Sequence, residues 1–334
     1  MNDLISLNSQ ELKELVTGMG EKPFAAKQLE DWLTRGVKFE DMSNLSKALR
    51  ERLRREHDEG YARIVEKLTS SDGTAKYLLA MSGGGLVECV LMRYHHGNTL
   101  CVSTQVGCRM GCAFCASGRE GLIRNLSCGE MRSEFIAASE AGEISNVVLM
   151  GTGEPLDNYD NVICFIRALG EKHGISIRHI SLSTCGIVPG ILKLADEGLP
   201  LTLCISLHSA IDEKRKKIMP AASAYTVRQI LDSAITYFKK TGRRVIIEYT
   251  LIKGFNDGEE DTNSLVKELH GLNCHVNVIP LNSAAGGYLP PDKNKAKAFA
   301  AELVKRGRSA TVRRSLGGDI EGACGQLRLK HEGK

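Results

Sequence analysis

The sequence predicts an α/β protein whose main domain is an open, partial βα barrel, preceded by a small helical domain. Three observations predict this class. After Asn98, short apolar segments alternate with longer segments of helical periodicity, which is typical of a parallel sheet with right-handed crossovers. About six such units follow one another, too few to close an eight-stranded barrel. The 334 residues, 42% of them apolar, suffice for one large core and an appendage.

The first segment of the chain is predicted to be helical. Asn8 and Glu11 are placed to form a capping box, and Pro23 suits the first turn of a second helix. Apolar residues such as Leu29 and Leu33 then follow at helical spacing. We therefore expect a helical accessory domain at the amino terminus.

A short β-ribbon is predicted to follow the helices. Turn signals at 71–73 and 83–85 separate two stretches with the composition of strands. The predicted division of the chain is a helical accessory domain over 1–60, a β-ribbon linker over 61–97, and a barrel with a carboxyl-terminal cysteine loop over 98–330.

The barrel segment is expected to contain six strands and five helices. The strands are Leu100–Val106, Asn146–Met150, Ile180–Thr184, Leu201–Leu207, Val245–Ile252 and Val276–Leu281. The helices lie near Gly129–Ala141, Val188–Glu197, Val227–Lys240, Asp261–Leu269 and Lys293–Lys305. Polar or small residues follow most of the strands. Because sites in βα barrels form at the carboxyl ends of the strands, we expect a single shared pocket there.

The charge distribution leaves nucleic-acid binding open. The net charge of +4 is small for this length, but basic residues form two clusters. Each cluster is either a solvated face or part of a rim that grips phosphates. The clusters contain Lys47, Arg50, Arg52, Arg54 and Arg55, and Lys305, Arg306, Arg308, Arg313, Arg314, Arg328 and Lys330.

The apolar runs are too short to cross a bilayer, and the amino terminus lacks a basic flank before an apolar stretch. We therefore expect a cytoplasmic protein that does not enter a membrane. Eleven cysteines in such a chain favour metal or redox chemistry over a disulfide scaffold.

Three cysteines form the most informative motif. Cys108, Cys112 and Cys115 have the spacing C-x3-C-x2-C, which suits three irons of a 4Fe-4S cluster and leaves the fourth iron without a protein ligand. The alternatives are a structural zinc knot or three unrelated thiols. Zinc sites usually add a second cysteine pair or a nearby histidine, and the next histidines, His173 and His179, are far along the chain.

A glycine-rich turn follows the next predicted strand. Glycine after a strand allows a ligand to approach the backbone, and the carboxylate of Glu154 can accept a hydrogen bond from an ammonium group. The turn resembles the Gly-Glu-Pro element of radical S-adenosylmethionine (SAM) enzymes, in which this region receives the SAM amino group. The cysteine triplet resembles the signature of the same enzymes, whose fourth iron is chelated by SAM.

Further segments narrow the resemblance. They are Leu100–Cys108, Leu182–Thr184, Ile205–His208, Ile279–Asn282 and Asp319–Leu327. Together with the cysteine triplet they resemble the radical SAM ribosomal RNA adenine methyltransferases, and the similarity covers nearly the whole chain. The resemblance implies the radical SAM type of partial barrel, a 4Fe-4S cluster and two SAM molecules per turnover.

In that family one adenosine of 23S ribosomal RNA is methylated at carbon 2, and some members also modify an adenosine beside the anticodon of transfer RNA. A sister branch methylates carbon 8 and confers antibiotic resistance. The segment Val312–Gly317 looks more like the carbon-2 branch, which we favour. An alternative from another class is a metal-containing RNA-binding protein without turnover, but such a protein would need neither Cys101 nor Cys324.

The resemblance implies three catalytic residues. Cys324 would carry the methyl group, Cys101 would resolve a covalent RNA adduct by forming a disulfide with it, and Glu88 would remove the ring proton. From residue type alone, Cys101 is as readily a buried small side chain and Glu88 an exposed strand carboxylate. If Leu100 and Val102 point outward, Cys101 points into the barrel.

The resemblance also implies a set of SAM-binding residues. They are Gly153, Glu154, Ser183, Ser206, Leu207, His208 and Asn282. In isolation His208 could equally be a metal ligand. The cysteines outside these sets, Cys89, Cys128, Cys164, Cys185, Cys204 and Cys274, are interpreted as core or incidental. The expected partners are 23S ribosomal RNA, with transfer RNA as an open second substrate, and an electron donor such as flavodoxin or ferredoxin. We expect a monomer.

Overall fold

The computed structural model describes residues 2–118, 121–282 and 287–322. Its strands are β1 Asn2–Asp3, β2 His57–Asp58, β3 Arg63–Thr69, β4 Ala75–Ala80, β5 Leu86–Tyr94, β6 Gly97–Val102, β7 Gln105–Gly107, β8 Leu122–Asn125, β9 Ile144–Leu149, β10 Ile180–Thr184, β11 Thr202–Ser206, β12 Val245–Leu251, β13 Cys274–Pro280 and β14 Ala310–Val312. Its helices are α1 Ser9–Gly18, α2 Phe24–Thr34, α3 Lys47–Glu56, α4 Cys128–Ser139, α5 Tyr159–His173, α6 Val188–Asp196, α7 Asp212–Ile218, α8 Val227–Thr241, α9 Glu259–Glu268 and α10 Lys293–Lys305.

Ten strands form one sheet in the order β14-β13-β12-β11-β10-β9-β6-β5-β4-β3. The seven strands from β14 to β6 are parallel, and helices connect them on one face. Because β14 and β3 lie at opposite edges, the described sheet does not close on itself. The predicted fold class, an α/β partial barrel with an amino-terminal helical region, is confirmed.

The segment predicted as a β-ribbon linker is part of the barrel wall. Strands β3, β4 and β5 are antiparallel, and β5 pairs with β6, so the three strands extend the main sheet. Helices α5 and α7 were not predicted from the sequence. Helix α5 has the apolar spacing of an amphipathic helix, and Val162, Phe165 and Leu169 are buried.

The two faces of the sheet have different surroundings. Leu100 and Val102 on β6 belong to the large core between sheet and helices. Cys101, between them, belongs to a separate small cluster with Val90 and Val148 on the inner face. This is the alternation that a strand imposes, and the side chain of Cys101 points into the barrel as its position between two core residues indicates.

The amino-terminal helices have a core of their own and dock on α4 through a buried arginine. Leu12, Leu29 and Leu49 are part of that core. Arg132 on α4 is 3% exposed, and its guanidinium donates to the carbonyl of Ile5 at 2.7 Å and to Thr34 Oγ1 at 3.3 Å. One side chain therefore ties the start of the chain and α2 to the barrel.

Two cysteines that were interpreted as core or incidental form a disulfide. Cys128 on α4 and Cys164 on α5 are bonded, with their Cα atoms 5.8 Å apart. Cys128 lies in the main core as interpreted, but the two residues are bonded to each other and are not incidental thiols. Spacing gave no sign of the bond, because the two positions meet only when α4 packs on α5.

The carboxyl-terminal segment crosses from one edge of the sheet to the other. After β14, Asp319 accepts hydrogen bonds from the Ser70 and Ser71 hydroxyl groups and from the Ser71 amide. Asp72 accepts from the Gly317 amide at 2.8 Å. The turn between β3 and β4 is thus fastened to the chain that follows β14. Among the described residues, no helix is long and apolar enough to cross a bilayer.

Replacing Arg132 by Ala should lower the free energy of unfolding by about 2–4 kcal/mol, because a buried carbonyl loses its charged donor. Arg167 on α5 provides the matched control. Its ion pair with Glu197 is half exposed, so Arg167→Ala should cost less than about 1 kcal/mol. Urea unfolding followed by circular dichroism measures both, and equal costs would contradict the docking role of Arg132.

Candidate functional site

A cleft opens at the carboxyl ends of β9 to β13, where the sequence predicted a shared pocket. It is a partly open cleft whose lining combines apolar side chains with a few polar groups, which is typical of a small-molecule site. The predicted site residues that line it are Cys108, Cys112, Cys115, Gly153, Glu154, Ser183, Ser206, His208 and Asn282.

The cysteine loop is held at both ends. The amide of Cys108 donates to the carbonyl of Gly121 across the β7–β8 hairpin at 2.9 Å, and the amide of Ala113 donates to the carbonyl of Ile218 at the end of α7, also at 2.9 Å. The amide of Cys115 donates a hydrogen bond to the carbonyl of Cys112 at 3.1 Å and so closes a turn. These contacts place all three thiols on one side of the cleft.

The donor set fits a metal group. Burial raises the pKa of the Cys108 thiol to about 11, and burial followed by the neighbouring thiols raises that of Cys112 further. A bound cation would reverse this, because thiolate is the form that binds metal. In the parts of the chain that the structure describes, no three ligand side chains converge on the position of one ion. The ligands of a 4Fe-4S cluster bind separate irons and need no such point.

Gly153 and Glu154 form the floor of the cleft after β9. Gly153 has φ +112°, and a Cβ there would lie 2.6 Å from Thr104 Oγ1, so only glycine fits. The carboxylate of Glu154 accepts from the amides of Leu156 at 3.0 Å and Cys185 at 2.8 Å. It therefore fastens the loop after β9 to the loop after β10. Burial raises the pKa of Glu154, while hydrogen bonds from Cys185, Thr184 and Leu156 lower it.

Glu248 is a site residue that the sequence analysis missed. It is 3% exposed on β12, lines the cleft, and its Oε2 accepts from Ser183 Oγ at 2.8 Å and from Ser206 Oγ at 3.3 Å. Arg313 lies 3.4 Å from its Oε1. The available signal was a single carboxylate in the apolar run Val245–Leu251. Arg313 belongs to the carboxyl-terminal basic cluster, for which a solvated face and a phosphate-binding rim were the alternatives, but its side chain points inward to Glu248.

His208 is held in a constrained conformation. Its φ of 58° is in the left-handed region, which is uncommon for a residue other than glycine and often marks a functional site. The Thr250 amide donates to His208 Nδ1 at 2.9 Å, so the neutral ring carries its hydrogen on Nε2. Burial, and then Arg215, lowers the pKa of His208 to about 3. Its edge-to-face contact with Phe114 connects it to the cysteine loop.

Leu207 differs from the other predicted SAM-binding residues in the direction of its side chain. Its side chain is fully buried in the main core and does not line the cleft. Its carbonyl accepts from Arg215 Nε at 3.0 Å, and the same guanidinium contacts the carbonyls of Cys185 and Ser206. Leu207 thus contributes to the shape of the site through its backbone and its packing.

Two of the three predicted catalytic residues lie on the inner face of the sheet, beside the cleft. Cys101 is opposite Val90, two residues along β5 from Glu88, so both side chains are on the same face. Met150 lines the cleft and packs on the Cys101 cluster, which joins the two regions. Glu88 is 5% exposed and lies 3.1 Å from Lys76 Nζ. The interpretation as an exposed carboxylate is wrong, and Cys324 lies outside the described residues.

The basic clusters divide into engaged and exposed residues. Arg50 donates to the carbonyl of Glu40, while Arg52 and Arg55 pair with Glu56. Arg306 and Arg308 are engaged with neighbouring groups in the same way. Lys47 is exposed and forms a surface ion pair with Glu51 at 3.8 Å. Arg54, Lys305 and Arg314 are exposed, and Arg314 adjoins the cleft. Arg328 and Lys330 lie outside the described residues.

Comparisons with known proteins give consistent results. Residues 102–266 match the Radical SAM superfamily, and residues 2–57 match the ribosomal RNA large subunit methyltransferase N-terminal domain. The chain is 48% identical to a probable dual-specificity RNA methyltransferase RlmN from Clostridium perfringens, over 99% of this chain and 98% of that protein. It is 49% identical to a protein of the same name from Alkaliphilus oremlandii, over 98% of each. The crystal structure of a radical SAM methyltransferase from Sphaerobacter thermophilus superposes with a TM-score of 0.93 at 39% identity, over 98% of this chain and 99% of that one.

The donor set of the cleft gives a direct prediction about metal content. Anaerobically reconstituted protein should hold about four irons per chain, and Cys108→Ser, Cys112→Ser or Cys115→Ser should each lose most of that iron. Cys274→Ser is the control, because Cys274 begins β13 at the end away from the cleft. Metal analysis and visible absorption measure the outcome. Zinc as the sole bound metal would contradict it.

Proposed function

The chain belongs to the RlmN family of radical SAM RNA methyltransferases, and on that premise we propose that it methylates carbon 2 of one adenosine in 23S ribosomal RNA. The observation that carries the proposal is similarity over the full length of both chains, including the ribosomal RNA methyltransferase N-terminal domain. The protein is therefore an enzyme, and the alternative of a binding protein without turnover is not retained. The predicted cofactors, a 4Fe-4S cluster and SAM, are those of this superfamily.

Carbon 2 of adenine is electron-poor because it lies between two ring nitrogens. It cannot attack the electrophilic methyl group of SAM, so the chain must supply a carbon carrier. We assign that role to Cys324, methylated by a first SAM. The cluster, when bound by Cys108, Cys112 and Cys115, supplies the electron that cleaves a second SAM reductively.

The chain's own residues then complete the reaction. The deoxyadenosyl fragment of the second SAM would take one hydrogen atom from the S-methyl group of Cys324, and the carbon radical left there would add to carbon 2. Glu88 would accept the ring proton, and the adduct would return one electron to the cluster. Cys101 would then attack the Cys324 sulfur as thiolate, which forms a disulfide and breaks the bond between that sulfur and the transferred carbon; this carbon takes up a proton and leaves as the methyl group of the RNA. The positions of Cys101 and Glu88 on one face beside the cleft support these roles, and the ion pair with Lys76 holds the Glu88 carboxylate in place.

The partners follow from the substrate. We propose that transfer RNA is a second substrate, because the relatives are named as dual-specificity enzymes. An electron donor such as flavodoxin or ferredoxin would reduce the cluster, and the enzyme would act as a monomer in the cytoplasm, where its RNA is.

The division of the chain into a helical accessory domain, a β-ribbon linker and a catalytic barrel remains part of the proposal. The exposed Lys47 and Arg54 on α3 are the basic residues we assign to RNA phosphates.

The function is tested by identifying the product. Protein-poor 23S ribosomal RNA and transfer RNA are incubated with reconstituted enzyme, SAM and a reductant, and the nucleosides are separated by mass spectrometry. We expect 2-methyladenosine, with weak activity on mature ribosomes because the target base must leave its stack to enter the cleft. Recovery of 8-methyladenosine alone would assign the chain to the carbon-8 branch, and no methylated adenosine would refute the proposal.

The two remote cysteines are predicted to fail in different ways. Cys324→Ala should give neither methylated RNA nor a trapped species, because the carbon carrier is lost. Cys101→Ala should accumulate protein covalently joined to RNA, visible as a shifted band on a denaturing gel. Cys89→Ala, on the opposite face of β5, is the control and should remain active. Loss of activity in Cys101→Ala without any trapped adduct would remove its resolving role.

A further inference from the structure

The carboxylate of Glu248 determines how two serines of the cleft present their hydroxyl groups. A buried carboxylate is costly unless polar partners compensate it, and here the partners are Ser183, Ser206 and Arg313. A carboxylate accepts hydrogen bonds and donates none. Both serines must therefore orient themselves toward Glu248 as donors.

The hydrogens of the network can be counted. Each serine hydroxyl carries one hydrogen, and the Ser183 hydroxyl lies 2.8 Å from Glu248 Oε2. The Ser206 hydroxyl lies 3.3 Å from the same oxygen and 3.2 Å from Ser183 Oγ. The Ser206 hydroxyl can donate to Glu248 or to Ser183. In either case, the hydroxyl hydrogens of both serines are used in bonds among Ser183, Ser206 and Glu248. Only lone pairs of the two serine oxygens are then left for a ligand.

Contacts to both its backbone carbonyl and its side-chain carboxylate fix the position of Glu248. Its carbonyl accepts from the amides of Leu207 at 3.1 Å and His208 at 3.2 Å, and its Oε1 faces Arg313. The same residue thus holds the turn after β11 through its backbone and orients Ser206 through its side chain. Rotation of the carboxylate away from the serines would break the contact with Arg313.

We propose that Glu248 is a positioning residue that fixes Ser183 and Ser206 as hydrogen-bond acceptors, so that this wall of the cleft binds the ribose hydroxyl groups of SAM. The inference rests on the proposed function. A wall of acceptors suits hydroxyl or ammonium groups and repels the SAM carboxylate. The ammonium group is expected at Gly153 and Glu154, one strand earlier and beside the cysteine loop, which leaves the ribose for the two serines.

The experiment measures discrimination between two nucleosides by calorimetry on the reconstituted protein. The probes are 5'-deoxyadenosine and 2',3',5'-trideoxyadenosine, which lacks both ribose hydroxyl groups, with L-methionine as a third probe. The unchanged protein should prefer 5'-deoxyadenosine by about tenfold or more, the effect of one or two hydrogen bonds to a charged network. Glu248→Ala should remove most of this preference and leave the affinities for the trideoxy compound and L-methionine within about twofold.

Further variants separate positioning from structural damage. Glu248→Gln should keep most of the preference, since an amide oxygen can still accept from both serines. Combining Glu248→Ala with Ser183→Ala and Ser206→Ala should cost no more than the serine changes alone, because Glu248 acts through them. Glu134→Gln is the matched control, since Glu134 is a buried carboxylate outside the cleft that accepts from the Ser103 amide. It should leave the preference unchanged.

An unchanged preference in Glu248→Ala, with normal iron content and circular dichroism, would overturn the inference. Equal losses for all three probes would also overturn it, because they would show a structural role. Failure of the proposed function appears differently: the nucleoside preference and its dependence on Glu248 would persist while no RNA became methylated.

Discussion

The parallel register of β10, β11 and β12 is the constraint on which the cleft depends. Ser206 lies directly opposite Glu248 in this register, and the carbonyl of Glu248 continues the hydrogen bonding beyond the end of β11 to Leu207 and His208. A shift of β12 by one residue would turn Glu248 toward the helices and bring its apolar neighbours on β12 into the cleft. The core on the outer face therefore determines which groups the inner face presents.

The site also contains a buried charged group and a strained backbone, both of which need polar partners in a protein interior. Arg215 is 1% exposed and contacts three carbonyls at the ends of β10 and β11. His208, whose backbone is left-handed, receives a hydrogen bond from the Thr250 amide on its ring and one from the Asn256 side chain on its carbonyl. Such conformations persist where the surrounding contacts over-determine them. The rigid turn after β11 is therefore maintained by polar contacts as much as by apolar packing.

Local patterns gave most of the fold and much of the site. Strand Ile180–Thr184 and helix Lys293–Lys305 coincide with their predictions. The direction of Cys101 followed from strand alternation alone. Glu248, the inward turn of Arg313 and the Cys128–Cys164 bond were not predictable in this way, because each depends on contacts between residues far apart in the chain. Leu207 was included with its neighbours by motif, and only the packing shows that its side chain turns away.

The contacts between Asp319 and the β3–β4 turn affect the order in which the molecule is completed. Asp319 and Ser71 are 248 residues apart, and chains are synthesised at roughly 5–20 residues per second. Synthesis of the chain between Ser71 and Asp319 therefore takes about 10–50 s, and the contacts of Asp319 with the β3–β4 turn cannot form before then. These contacts can form only once almost the whole chain has been synthesised. The segment leading to the carboxyl-terminal cysteine is therefore positioned against a barrel wall whose strands were synthesised first.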